Sequence, residues 1–184
     1  MARRKSALPN STETWFKFVE LRINVFCKAL DLLNVSDDII NHEDKISKAL
    51  NPKLLTVCRT LELMIGIPVW DAKNRPVTDN DIKLPSSDTR PDFTCCYYDT
   101  NGEFNGLYEL KLHIECKRIG NSKSSWNLNM NYINEGINRF DSPEHEYGKY
   151  VQDGIMIGYI ISSTKSDIQK NKSTFTRKNW KIEF

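Results

Sequence analysis

Three ionisable residues in two short stretches carry the chemistry of this chain. Asp92 lies in Arg90-Pro91-Asp92-Phe93, and Glu115 and Lys117 lie in His113-Ile114-Glu115-Cys116-Lys117-Arg118. Asp92 heads a run of β-formers, Phe93 to Tyr98. Glu115 and Lys117 stand two apart near the end of a second run, about Leu107 to Lys117. Asp99-Thr100-Asn101-Gly102 between them is turn chemistry, so the two runs predict a β-hairpin. In the second run Leu112, Ile114 and Cys116 alternate with Lys111, His113, Glu115 and Lys117. The period of two puts apolar groups on one face and ionisable groups on the other.

The Glu-x-Lys triplet occurs twice, as Glu109-Leu110-Lys111 and as Glu115-Cys116-Lys117. Pairing separates them. With the turn centred near Glu103 and Phe104, residues whose numbers sum to about 207 stand opposite each other. Asp92 then faces Glu115, while Glu109 faces Tyr98. Two facing carboxylates repel, and each resists ionising unless a cation sits between them. Oxygen ligands in small number suit Mg²⁺, which keeps several waters and also takes a phosphate oxygen; Mn²⁺ is a possible substitute. Lys117 points to the same face, where its ammonium can hold an attacking water, share in its deprotonation or offset transition-state charge. The implied reaction is phosphodiester hydrolysis. The alternative is a solvated hairpin face decorated with charge.

The elements that must position these residues follow from pattern. Residues 1–9 read as a flexible basic arm and residues 10–184 as one domain. Asn10 is an N-cap with Glu13 completing a capping box, and Trp15, Phe18, Val19, Phe26, Ala29, Leu30 and Leu33 give a first helix to about Leu33. A second helix starts near Ser36 or Asn41 and ends before Pro52. Asn51-Pro52 restarts a third, which runs to about Ile65 with Gly66 as its stop. Pro68-Val69-Trp70 opens a short strand, and Asp71 to Asp88 is a long loop. Ile133, Ile137 and Phe140 share one side of a helix, with Glu135, Asn138 and Arg139 on the other. Ile155 to Ile161 reads as a strand covered on both faces, and Trp180 to Phe184 as a last strand. The expected architecture is α/β, a mixed sheet with helices on both faces.

Pro91-Asp92 followed by Glu115-Cys116-Lys117 at the end of the next strand resembles the PD-(D/E)XK nucleases, the restriction-endonuclease-like superfamily. The match of motif order covers roughly Asn41 to Ile161. The resemblance implies Mg²⁺-dependent endonuclease cleavage of DNA, with Asp92 and Glu115 as metal-binding acids and Lys117 as the catalytic lysine. It also implies a third acid from an upstream helix. Glu43 is the choice here, in catalysis and as a metal ligand, with Glu62 and Asp44 as competitors. Restriction or anti-phage defence is the first expected setting. A repair or recombination nuclease of the junction-resolvase kind, and a module that binds nucleic acid without cutting, are the alternatives. A homodimer or separate defence subunits would supply the second strand cut.

Arg118 and Lys123, beside Lys117, form a basic group able to neutralise phosphates. Arg139 and Lys149 are expected to line the DNA groove. His113 shares the Glu115 face and reads as structural, and Glu135 as an ordinary surface acid. A second basic cluster gathers Lys165, Lys170, Lys172, Arg177, Lys178 and Lys181. The 184 residues carry a net charge of only +2, so the distribution and not the total points to nucleic acid. Five cysteines form no C-x-x-C pair; they read as reduced thiols of a cytoplasmic protein, and a zinc site lacks ligand spacing. No apolar run is long enough to span a membrane.

Overall fold

The computed structural model of the protein describes residues 9–161, apart from residues 77, 103, 105, 121–126 and 150–152. Two long helices come first, α1 (Pro9–Asp31) and α2 (Glu43–Thr60). Four strands follow in the sheet order β1-β2-β3-β4: β1 (Val69–Trp70), β2 (Phe93–Tyr98), β3 (Glu109–Ile119) and β4 (Ile155–Ile160). The first three run antiparallel and β4 is parallel to β3, so the sheet is mixed. Between β3 and β4 lie α3 (Leu128–Asn134) and a 3-10 turn, Ile137–Phe140.

The hairpin register is the one the turn predicts. Phe93 pairs with Ile114, and the ladder continues to Tyr98 with Glu109. Alternation then sorts the faces. Leu112, Ile114 and Cys116 are fully buried in one core with Phe93 and Cys95 of β2, and with Phe26, Ala29, Ile46, Leu50 and Leu54 of α1 and α2. Leu-sized groups so buried each stabilise the fold by about 1.5–3 kcal/mol relative to exposure. The opposite face of β3 is covered by the chain after it. A Cβ on Gly158 would strike Ile119 and reach Tyr132 of α3, so α3 lies close against that side of the sheet. Helices therefore cover both faces.

Several expectations about elements change. The helix break at Pro52 is absent: α2 runs through it as one helix. A mid-helix proline removes one hydrogen bond, at a cost of about 3 kcal/mol. Leu50 and Leu54, both fully buried, flank it and hold the helix on the core. The same helix stops at Thr60, not near Ile65. Glu62 takes a left-handed φ of 52°, and Leu63 N–H donates to the Cys58 carbonyl at 2.9 Å while Glu62 N–H donates to Arg59. That is a Schellman ending made by a glutamate instead of the glycine usual there. The expected helix through Ile133, Ile137 and Phe140 breaks after Asn134, and Gly136, at φ −121° and ψ −83°, packs where no Cβ fits. Strand β4 is less covered than its sequence suggests, for it forms the edge of the sheet among the described residues; Ile157 and Tyr159 are buried and Ile160 is exposed.

The expected first cap also shifts: α1 begins at Pro9, which places Asn10 inside the helix. Proline suits a first helical turn. Further along α1, buried Arg22 lies over the Phe18 ring and donates to the Ile65 carbonyl at 2.6 Å, tying α1 to the turn before β1. The long loop, Asp71 to Asp88, contains two short 3-10 turns. Cys58, Cys95 and Cys116 are buried thiols, whereas Cys27 is exposed on α1. The expected strand Trp180 to Phe184 and the C-terminal basic cluster lie outside the described residues, as does the arm before Pro9. Among the described residues no helix is long and apolar enough to cross a membrane.

Candidate active site

Strand β2 begins at Phe93 while β3 runs on to Ile119, so β3 extends past its partner. The edge that β2 would have occupied carries the amides of Cys116 and Arg118. Backbone donors buried without partners are costly, and here carboxylates replace the missing strand. Asp92 Oδ2 accepts from Cys116 N–H at 2.6 Å, and Glu43 Oε2 accepts from Arg118 N–H at 3.0 Å. Asp92 therefore stands just past the last ladder pair, Phe93 with Ile114, within electrostatic reach of Glu115. The same missing strand opens a passage. Glu43 comes from the first turn of α2, on the apolar side of the sheet, and meets Lys117, whose side chain belongs to the polar side.

Lys117 is the hub. Its Nζ donates to Glu43 Oε1 at 2.8 Å, to Glu115 Oε1 at 2.9 Å and to the Cys116 carbonyl at 3.1 Å. Arg139, from the 3-10 turn, reaches the same Glu115 Oε1 at 2.5 Å. Three carboxylates, Glu43, Asp92 and Glu115, thus surround two cations. Glu115 is only 1% exposed and Lys117 5%. A solvated hairpin face is excluded: the ionisable side of β3, Lys111 through Lys117, is buried along its length. Glu115 Oε2 is also buried and has no hydrogen-bond partner.

The electrostatics follow from this count. Burial, then the charge of Glu115, pushes the Asp92 carboxyl up to about 7, against the opposing pull of the Cys116 amide and Lys117. For Lys117, burial favours the neutral amine, but Glu115 and Glu43 outweigh it and hold the group above its ordinary value. It is therefore a firmly charged ammonium. Arg139 likewise gains more from Glu115, Tyr147 and Glu135 than it loses by burial.

An excess of one carboxylate, with an orphaned Glu115 oxygen and an Asp92 that resists ionising, suits a divalent cation. Asp92 and Glu115 would hold it. Among the described residues no group of three or more His, Cys, Asp or Glu is placed to encase a metal. Glu43 is turned to Lys117 and the Arg118 amide. Mg²⁺ needs few protein carboxylates, since it fills its other positions with water and phosphate.

Of the third-acid candidates, Glu43 alone is at the site. Glu62 caps the far end of α2, and Asp44 is exposed. His113 is structural: burial, then the charge of Lys111, lowers its pKa to about 3, and its Nδ1 lies 3.1 Å from Thr94 Oγ1. Glu135 is an exposed acid 3.6 Å from Arg139. Arg139 is not spread along a groove, as expected, but turned inward onto Glu115. Lys149 pairs with Glu146 at 3.4 Å. Arg118 sends its backbone amide to Glu43 and its guanidinium to the Asn41 carbonyl, at 2.6 Å. Lys123 lies outside the described residues.

Sequence reasoning missed two supporting groups. Ser47 Oγ and Tyr159 OH lie 3.1 Å apart, behind Cys116, and fix α2 to β4 under the motif. Gly136 lies against the Lys117 stem, where a Cβ would come within 3.2 Å of Lys117 Cγ. A glycine inside an otherwise helical pattern was the available signal for the second. No family model, no curated protein and no solved structure matches this chain.

Proposed function

We propose that this chain is a divalent-metal-dependent endonuclease of the PD-(D/E)XK kind, with a restriction-endonuclease-like core, that hydrolyses phosphodiester bonds of DNA. The observation that carries the reading is the convergence of Glu43, Asp92 and Glu115 on the end of β3 around one buried ammonium. A buried, acid-rich strand end is costly to fold and is kept where chemistry needs it.

Asp92 and Glu115 are the metal ligands. When bound, Mg²⁺ would polarise a phosphate oxygen and lower the pKa of a bound water. Lys117 acts as a charged donor: its proton stays on Nζ, and it offers a hydrogen bond to the oxygen on which charge develops. Its role in this reading is orientation and charge stabilisation. Glu43 fixes the ammonium and, through the Arg118 amide, the strand end that carries it. Substrate steering falls to the basic side chains around this end, Arg118 first, through phosphate contacts that carry no sequence preference.

Restriction or anti-phage defence is the corresponding biological setting. The test is incubation of supercoiled plasmid and branched DNA with Mg²⁺, Mn²⁺ or chelator. Cleavage that needs the metal is expected. Absence of cutting under every metal would remove the reading in favour of a non-catalytic binding module, and strong preference for four-way junctions would move the setting to recombination or repair.

A further inference from the structure

The chain after Asn134 lies along the polar side of β3. Gly136 abuts the Lys117 stem, Arg139 holds Glu115, and the Tyr147 ring sits 5.1 Å from the His113 ring. This segment, residues 136–147, covers the Glu115 and Lys117 side of the strand. Its only ion pair to the metal-binding acids, among the described residues, is Arg139 to Glu115.

The two cations on Glu115 are held differently. Lys117 is gripped by two carboxylates and a carbonyl. Arg139 reaches Glu115 by one terminal nitrogen and the exposed Glu135 by the other at 3.6 Å, its Nε is buried without a partner, and its side chain is 26% exposed. Of the two, Arg139 has less to lose by leaving. A divalent ion on Glu115 would meet the guanidinium at close range, and like charges that near repel strongly in a buried site. We infer that Arg139 is the resident counter-cation of this site, seated on Glu115 and exchanged for the divalent ion on loading. Its departure loosens the 3-10 turn that carries it and leaves a guanidinium, suited to a phosphate oxygen, at the site mouth. The inference rests on the metal-dependent reading above.

The test is Mn²⁺ titrated calorimetrically into the full chain, wild type beside Arg139→Met and Arg139→Lys, with far-UV dichroism to verify folding. Arg139→Met is expected to bind Mn²⁺ about tenfold tighter than wild type, and Arg139→Lys to stay close to wild type because it keeps the charge. Equal or weaker binding by a folded Arg139→Met overturns the inference while leaving the metal-dependent reading in place. No Mn²⁺ binding by any of the three overturns both. If Arg139→Met does not fold, hydrogen exchange on the wild type decides. The amides of Arg139, Asp141 and Ser142, which donate to Gly136 and Asn138 within the cover, should exchange faster with Mn²⁺ present. Unchanged or greater protection would contradict the exchange.

Discussion

The two Glu-x-Lys triplets of β3 are the same pattern at opposite ends of one strand, and their environments differ in every respect that matters for chemistry. At the first, Glu109 pairs with exposed Arg75 at 3.1 Å, and Lys111 donates to the Arg75 backbone carbonyl. Strand β2 runs alongside, with Tyr98 opposite Glu109 and Cys96 opposite Lys111. At the second, β2 has ended, and Asp92 and Glu43 fill the open edge. What surrounds a triplet thus differs with the reach of the neighbouring strand. A paired edge leaves the acid only a surface partner, whereas an unpaired one draws in further carboxylates to satisfy its amides.

The largest expected effect of breaking this contrast is catalytic. Lys117→Ala should slow metal-dependent plasmid cleavage about 10²–10³-fold, the loss typical of removing a buried transition-state donor. Lys111→Met, equally buried in the wild type, should leave the rate within about twofold. Gel-based nicking rates at matched folded concentration measure both. Next in size is metal binding. Glu115→Gln should weaken Mn²⁺ binding about 100-fold, whereas Glu109→Gln should leave it unchanged and cost less than about 1 kcal/mol in urea unfolding, as an exposed ion pair does.

A pH effect follows, with two groups of opposite sign. Asp92 has a folded pKa of about 7 against an ordinary 3.8, so in metal-free protein its contribution to stability is fully present below 3.8 and is lost as pH rises through 7. His113 runs the other way: lowered from 6.5 to about 3, it contributes above 6.5, and that contribution is lost as pH falls towards 3. The two slopes oppose each other between about pH 4 and 6.5. Asp92→Asn keeps an oxygen for the Cys116 amide and removes the first slope. Its urea midpoint should therefore fall on acidification more steeply than that of wild type; a parallel pH dependence would show that Asp92 ionises normally. The smallest expected effect is a null. Tyr98→Asp places an acid opposite Glu109 and should create no Mn²⁺ site by calorimetry, because the edge there is already paired.

Much of this was legible in the sequence. Strand alternation is a local property, and one short turn fixes the register of a hairpin, so the pairing of Tyr98 with Glu109, and with it the approach of Asp92 to the Glu115 end of β3, could be read from the sequence. Glu43 was legible only as a helix acid suggested by resemblance; what brings it to Lys117 is the early end of β2, which sequence shows only as Pro91. The rest depended on tertiary contacts. Pro52 reads as a break, yet the burial of Leu50 and Leu54 keeps α2 whole. Arg139 reads as an outward groove residue, yet the collapse of the helix at Gly136 turns it inward. In both cases a long-range packing energy overrode a local preference.

The central claim is that the second triplet alone is a metal-dependent site, and a single matched assay tests it. Plasmid nicking by wild type, Lys117→Ala and Lys111→Met is followed with Mg²⁺ and with chelator. The account predicts cleavage by wild type and Lys111→Met only when Mg²⁺ is present, and almost none by Lys117→Ala. Equal cutting by the two substituted proteins, or cutting that survives chelation, would contradict it.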